Sequence, residues 1–254
     1  MRTCIELFCG MGGASAGLLA AGVEIVAAVD AWDKACEAHR RWHPGVHVVQ
    51  SRCEDAGDHI DRDVDLVWAS PSCKPWSLAN RTPKRGKMHP EYYSLARLVG
   101  QAFGLWRARW LIVENVGGLA WSREGKAELD GMRAAVASFG RRLTVSVVNG
   151  NTVGVAQIRR RVFVVVGPEY MAIPQGRAHV ESRICAVDAS GTSRHANWTR
   201  APVRTLAECC DLQQVPLWTV DGFGKATAHA LVGNAVPPPL ARHVVQTLLR
   251  GAQP

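Results

Sequence analysis

A doubly wound α/β fold with a mostly parallel sheet is what this 254-residue chain predicts, on three observations. Short apolar runs alternate with helical patterns over the first two-thirds, the signature of β-α-β units. The first such run opens a strand, a glycine turn and a helix, ELFCGMGGASAGLLAAG. An apolar fraction of 47% with 20% charged residues suits a globular chain long enough to bury one core, with at most a small appendage.

The first expected strand spans residues 3–9, and Gly10, Gly12 and Gly13 follow it before a helix over 14–21. Such glycines let the backbone approach a ligand closely, and the helix start supplies free N–H groups. A plain strand–helix corner is the simpler alternative. Against it, the second strand, 24–30, ends on Asp30, where an acidic side chain can bond ribose hydroxyls. The spacing is not G-x-G-x-x-G, so a nucleoside-containing cofactor is favoured over a dinucleotide. A helix over 34–42 and strands over 46–50 and 64–69 come next.

The turn after that strand, SPSCKPWS, carries Cys73 between two prolines. A thiol in a polar, accessible turn at a strand end is placed to act as a nucleophile, whereas a core cysteine would have apolar neighbours. The segment NRTPKRGKMH directly follows. It is basic and contains glycine, and reads as a mobile lid that clamps a phosphate backbone, an ordinary solvated loop being the alternative. A helix over 91–107 leads to the strand 110–114, which ends on Glu114 facing the same crevice. After a helix over 126–139, the strands 143–148 and 161–166 are joined too briefly for a crossover helix and should form an antiparallel edge pair. Alternation puts Arg159 and Arg161 on one face and Arg160 on the other.

From 168 to 200 the pattern fades into a polar, Arg/His-rich stretch, either a small insert or a long loop. Order resumes with VRTLAECCDL, read as a short helix, and GNAVPPPLARHVVQTLLR, read as a turn and a helix with Pro237–Pro239 at its start. The chain thus divides into a catalytic and cofactor-binding part (1–167), a small recognition segment (168–200) and a C-terminal return (201–254). The tryptophans read as packing residues, with Trp32 a candidate for contact with an adenine.

Thirty Lys and Arg against 22 Asp and Glu leave an excess of 30 − 22 = 8 positive charges. That favours a polyanionic partner, nucleic acid before anionic membrane, with a merely basic surface as the alternative. No run approaches the roughly 18 to 20 apolar residues of a membrane span. The N-terminus runs straight into a strand, so no signal peptide is expected. The eight cysteines contain no C-x-x-C pair, so no metal site is expected and reduced thiols in a cytoplasmic protein are.

Six short motifs, in order and spread over nearly the whole chain, resemble those of the DNA (cytosine-5)-methyltransferase family. ELFCGMGGASAGL is similar to its S-adenosylmethionine loop, SPSCKPWS to its Pro-Cys nucleophile motif and ENV to its acid motif. QIRRR is similar to its Gln-x-Arg-x-Arg motif, and RTLAE and GNAVPPPLA to its closing motifs. The resemblance implies the Rossmann-like fold of S-adenosylmethionine-dependent methyltransferases with a small appended recognition region. It implies Phe8, Gly10 and Gly12 at the cofactor, Asp30 on its ribose, and Asn234, Ala235 and Val236 closing the site. By the same resemblance Cys73 is the nucleophile, Glu114 the acid, and Arg159 and Arg161 hold the cytosine. Gln157 takes a structural or DNA-contacting role. Ser77, Arg81, Lys84, Arg85 and Lys87 would contact nucleic acid. Double-stranded DNA is the implied partner, its target base flipped out at a cost of a few kcal/mol, and the protein is expected to be a monomer.

The chemistry fits these assignments. Carbon 5 of cytosine is a poor nucleophile until a thiolate adds at carbon 6. A proton at ring nitrogen 3, from a carboxyl kept neutral by burial, and an arginine beside the exocyclic oxygen would stabilise the charge that develops. Two arginines should also lower the thiol pKa.

The chain departs from the pattern in three places. Ser72 and Lys74 flank the cysteine where the family has Pro and Gln. SRCED stands where a Gly-Asp-Ile motif is usual, with Arg52 at the position of the Asp and Glu54 or Asp55 as substitutes. The recognition region is short, which predicts a very short target or loose specificity. An RNA cytosine-5 methyltransferase is the first alternative, weakened by the absence of that branch's Cys-Phe-Thr segment. The second is a non-catalytic DNA-binding or regulatory protein, for which a separate specificity partner is conceivable. The role in either DNA-directed reading includes restriction-modification.

Overall fold

The computed structural model describes residues 2–76, 92–182, 184, 186–189 and 204–251. Seven strands form one sheet: β1 (Thr3–Leu7), β2 (Glu24–Asp30), β3 (Val48–Gln50), β4 (Leu66–Ala69), β5 (Trp110–Val116), β6 (Arg142–Asn149) and β7 (Arg160–Gly167). Their order across the sheet is β3-β2-β1-β4-β5-β7-β6. The first five are parallel, and β7 runs antiparallel between β5 and β6. The expected antiparallel pair is present, but β7 is not at the edge: it inserts beside β5, register Val116↔Arg161 and Glu114↔Phe163.

The helices are α1 (Gly13–Ala20), α2 (Asp33–Trp42), α3 (Leu95–Val99), α4 (Gly118–Trp121), α5 (Arg123–Ser138), α6 (Leu206–Gln213), α7 (Lys225–Asn234) and α8 (Pro238–Gly251). α3 continues as a π-helical turn over Gly100–Leu105 and starts later than the sequence pattern suggests. α6 is set by a complete capping box between Thr205 and Glu208. α4 and α7 are not assigned by the sequence reading; α7 is an alanine- and histidine-containing stretch with little amphipathic contrast.

Both faces of the sheet are covered, as continuous apolar strands require. On one face Ile5, Leu7, Val67 and Leu111 pack with Leu95 and Leu98 of α3 and Met132 of α5. On the other Trp68, Trp110 and Phe163 pack with Leu18 of α1 and Leu240 and Val244 of α8. Trp68, Trp106 and Trp110 are fully buried, the packing role expected of them. A third cluster joins α2 to α6 and α7 through Ala35, Cys210 and Val232.

The recognition segment begins differently from its sequence reading. β7 ends opposite Arg142, at the far end of the sheet from the crevice. Residues 171–175 therefore climb back along the outer edge of β6. Met171 and Ile173 donate backbone N–H groups to Thr144 and Ser146, and Gln175 bonds the Val147 carbonyl and the Asn149 amide. Of these contacts only the Gln175 side chain meets the free backbone of β6, while the Met171 and Ile173 amides reach side-chain hydroxyls and Ile173 packs with Phe163 and Val165 on one sheet face. The first residues of the 168–200 stretch thus pack against β6. Among the described residues no helix is long and apolar enough to cross a membrane, and no group of three His, Cys, Asp or Glu is arranged to hold a metal ion.

Candidate active site

Strand order reverses between β1 and β4, and the crevice beyond their carboxyl ends is where an open α/β sheet binds ligands. A cavity of about 530 Å³ lies there. Phe8, Gly10, Asp30 and Trp32 line one half. Asn234, Ala235 and Val236 line the C-terminal side, and Cys73, Glu114, Arg159 and Arg161 line the other half.

The glycine turn is built under constraint. Phe8 adopts φ +56, a left-handed conformation uncommon for a residue with a side chain, and its ring meets Tyr93 edge-on at 5.1 Å. The Asp30 carboxylate accepts from the Gly10 amide at 2.9 Å and from the Trp32 amide at 2.9 Å, which ties the turn to the end of β2. Burial raises the Asp30 pKa and those amide bonds pull it back. Gly12 stands behind the turn instead of lining the cavity: its φ is +96 and its carbonyl meets His43 Nε2 at 2.9 Å. It is the N-cap of α1 and offers no side-chain cap, so the first amides of the helix keep their capacity for a ligand anion.

On the reacting side, Glu114 and Arg161 are diagonal neighbours across β5 and β7, and Arg161 Nε lies 3.0 Å from Glu114 Oε1. Burial pushes the Glu114 carboxyl up, and Arg161 and Arg159 oppose it. Cys73 is partly exposed in its turn. Ser72 stands in for the missing proline by accepting the Lys74 amide on its hydroxyl at 3.4 Å. Asn115, which the sequence reading passed over, donates to the Pro71 carbonyl at 3.0 Å and so fixes that turn to β5. Its only sequence signal is an amide side chain at a buried strand end. The thiol departs from expectation. Burial raises its pKa more than Arg161 and Arg159 lower it, and Glu114 raises it further.

A family model for C-5 cytosine-specific DNA methylases matches residues 2–175. The chain belongs to that family. The type II methyltransferase M.HindV of Haemophilus influenzae is 30% identical over 161 residues, 62% of this chain and 50% of that protein. M.HgiDI of Herpetosiphon aurantiacus is 29% identical over 176 residues, 65% and 52% of the two chains. The chain thus spans about half the length of these curated relatives. The solved structure of the Entamoeba histolytica methyltransferase EhMeth shares the fold at TM-score 0.76 with 13% identity, covering 100% of this chain and 99% of that one. A Spodoptera frugiperda DNMT2 mutant does so at 0.74 with 16% identity, covering 98% and 100%. The family's methyl donor is S-adenosylmethionine, and the cavity fits it. Room beside Gly10, the uncapped start of α1 and the Asp30 carboxylate suit a nucleoside with an amino-acid tail.

In this family member the Gln-x-Arg-x-Arg motif is divided in its work. Arg161 faces the cavity beside Glu114. Arg159, 2% exposed, donates to the carbonyls of Val187, Gly233 and Ala235 and carries its charge among backbone dipoles. It lines the cavity but acts there by holding the closing turn. Gln157 is fully buried, and its amide is satisfied by Leu212, Gln213 and the Val187 amide. Of its two expected roles the packing fits the structural one and corrects the DNA contact, because no amide group is left to reach outward. Gln213 completes the clasp by donating to Val232 and Ala235, a long-range role no local pattern marks. Arg52 pairs with Glu54 at 3.0 Å on the surface, and neither lines the cavity. Ser77, Arg81, Lys84, Arg85 and Lys87, with the rest of the expected lid, lie outside the described residues.

The closing turn sits directly on α1. A Cβ on Gly13 would stand 2.3 Å from the Val236 carbonyl oxygen, a backbone atom that cannot swing aside. Gly13→Ala should therefore cost about 1–3 kcal/mol of stability by overpacking. It should also weaken S-adenosylmethionine binding, measured by thermal unfolding with and without the cofactor. An unchanged melting temperature would contradict this packing.

Proposed function

We propose that the protein transfers a methyl group from S-adenosylmethionine to carbon 5 of cytosine in DNA, through a transient covalent bond from Cys73 to a flipped-out base. The observation that carries this reading is one cavity holding Cys73, Glu114 and Arg161 beside the glycine turn. When bound, the cofactor supplies an electrophilic methyl group on a sulfonium. Cys73 adds to carbon 6, and the ring becomes an enamine nucleophilic at carbon 5. Glu114 in its acid form protonates ring nitrogen 3, and Arg161 steadies the charge on the exocyclic oxygen. Loss of the carbon-5 proton and elimination of Cys73 restore the ring. Asn115 holds the nucleophile turn, and Arg159 and Gln213 hold the closing turn.

Burial favours neutral Glu114, and neutral Glu114 no longer raises the Cys73 pKa. Arg161 and Arg159 then act on the thiolate unopposed by that charge. The acid form of one group thus promotes the ionised form of the other. The family description, C-5 cytosine-specific DNA methylase, favours DNA as substrate, and the net positive charge suits either nucleic acid. Expression in a methylation-free host, followed by mapping of 5-methylcytosine in DNA and RNA, tests the reading. Methyl groups at many short DNA contexts are expected. Label in RNA alone would replace DNA as the substrate, and strict methylation of a site of six or more base pairs would end the claim of loose specificity.

A further inference from the structure

Glu6 lies in the middle of β1, 1% exposed, yet it reaches the wall of the cavity under the glycine turn. Ser15 of α1 donates its hydroxyl proton to Glu6 Oε2. The same hydroxyl oxygen is 2.8 Å from His39 Nε2 of α2. Ser15 and His39 thus form a polar chain leading to Glu6, and His39 Nδ1 has no hydrogen-bond partner among the described residues.

Among the described residues no cation is paired with the carboxyl. Cys4 and Cys9 of its own segment and Asp30 of β2 lie near it, and His39, its neighbour through Ser15, has His43 and Arg40 of α2 beside it. Arg40 is turned to the Val48 carbonyl at 3.0 Å, and His43 to the Gly12 carbonyl. Arg159, Arg161, Glu114 and Cys73 face the other half of the cavity. Burial raises the Glu6 pKa to about 8, with the Ser15 bond lowering it and the Asp30 charge raising it. Burial holds His39 neutral, with a pKa of about 3. A buried acid with donors, a cavity wall and no counter-charge is a seat for a cation that comes from outside.

We propose that Glu6 receives the positively charged end of the methyl donor, and that the donor's arrival drives one proton from the Glu6 carboxyl to solvent, whereas the uncharged product leaves Glu6 protonated. This rests on the cofactor reading above. The carboxylic acid becomes a carboxylate plus one released proton, and no electrons move. The sulfonium exists only before transfer, so the site holds the donor more tightly than the thioether that remains and favours exchange of one for the other. Donor affinity should rise with pH through about 8, because the carboxylate that the cation needs is the minor form below it.

Calorimetry on the full chain with S-adenosylmethionine and with S-adenosylhomocysteine, in buffers of low and high ionisation heat, tests this. At pH 7 donor binding should release roughly half a proton or more beyond what the product releases. The amino group common to both ligands cancels in the comparison. The donor Kd should tighten about 25-fold between pH 6.5 and 8.5, and the product Kd should change much less. Glu6→Gln should abolish the difference. Ser15→Ala, which keeps the carboxyl but removes a donor, should move the proton release to higher pH. That displacement does not require Glu6→Gln to fold. Equal proton release for both ligands, or an unchanged difference in Glu6→Gln, would overturn the inference and leave the cofactor reading standing. Binding of neither ligand would overturn the cofactor reading, and the inference with it.

Discussion

Cys73→Ala or Cys73→Ser should lower methyl transfer by about 10⁴-fold or more, the scale on which loss of a covalent nucleophile acts. The fold should survive. Cys73 is partly exposed at the cavity wall, unlike Cys4, Cys36 and Cys209, which are buried and fill space in the core. DNA carrying 5-fluorocytosine provides the direct measurement. Fluorine at carbon 5 blocks the loss that normally frees the enzyme, so the wild-type chain with cofactor should run as a covalent protein–DNA adduct on a denaturing gel. Neither Cys73 variant should form it. An adduct that persists in Cys73→Ala would assign the attack to another residue. The resting thiol sharpens the expectation. Burial keeps it protonated at neutral pH despite Arg161, so ionisation has to accompany entry of the base. Adduct formation should then depend on the presence of cofactor and a target base together, and general thiol reagents should react slowly at pH 7.

Local patterns carried most of the fold. Short continuous apolar runs locate the strands to within a few residues, because buried parallel strands and amphipathic helices such as α2 leave strong short-range signals. The places of Asp30 and Glu114 were legible because strand ends in such sheets meet one crevice. What the chain did not disclose is decided over long distances. Nothing near residue 168 indicates that β7 ends at the wrong end of the sheet, so that the following residues must spend themselves on the edge of β6. Gln213 is linked to Gln157 across 56 positions, and Glu6 to His39 through Ser15. Gln213, Glu6, Ser15 and His39 lie in a strand or in helices, and Gln157 in a bend, where no local pattern names their distant partners. The thiol was misjudged for a related reason. Charge partners can be read from motifs, but the depth of burial that outweighs them cannot.

Glu114→Gln should lower kcat by about 10²- to 10³-fold, since a proton donor aimed at developing charge is lost. Arg161→Ala should do comparable damage, yet the two should act oppositely on the thiol. Arg161 lowers the Cys73 pKa and ionised Glu114 raises it. Iodoacetamide should therefore alkylate Cys73 more slowly in Arg161→Ala at every pH where the thiol is measurable. In Glu114→Gln the rate should match wild type while the native carboxyl is neutral and exceed it once that carboxyl ionises. The pH at which the two curves part is thus a reading of the Glu114 pKa, expected above its ordinary 4.5 because burial disfavours the charge. Of the two variants Glu114→Gln should change stability less than Arg161→Ala, because a neutral carboxyl and an amide place a similar uncharged acceptor beside Arg161. The same titration must appear in catalysis: kcat/KM of the wild-type enzyme should decline above the pH where alkylation curves diverge, because the acid form of Glu114 is the working form. Divergence near pH 4.5, or a decline in kcat/KM unrelated to it, would remove Glu114 from the role of acid.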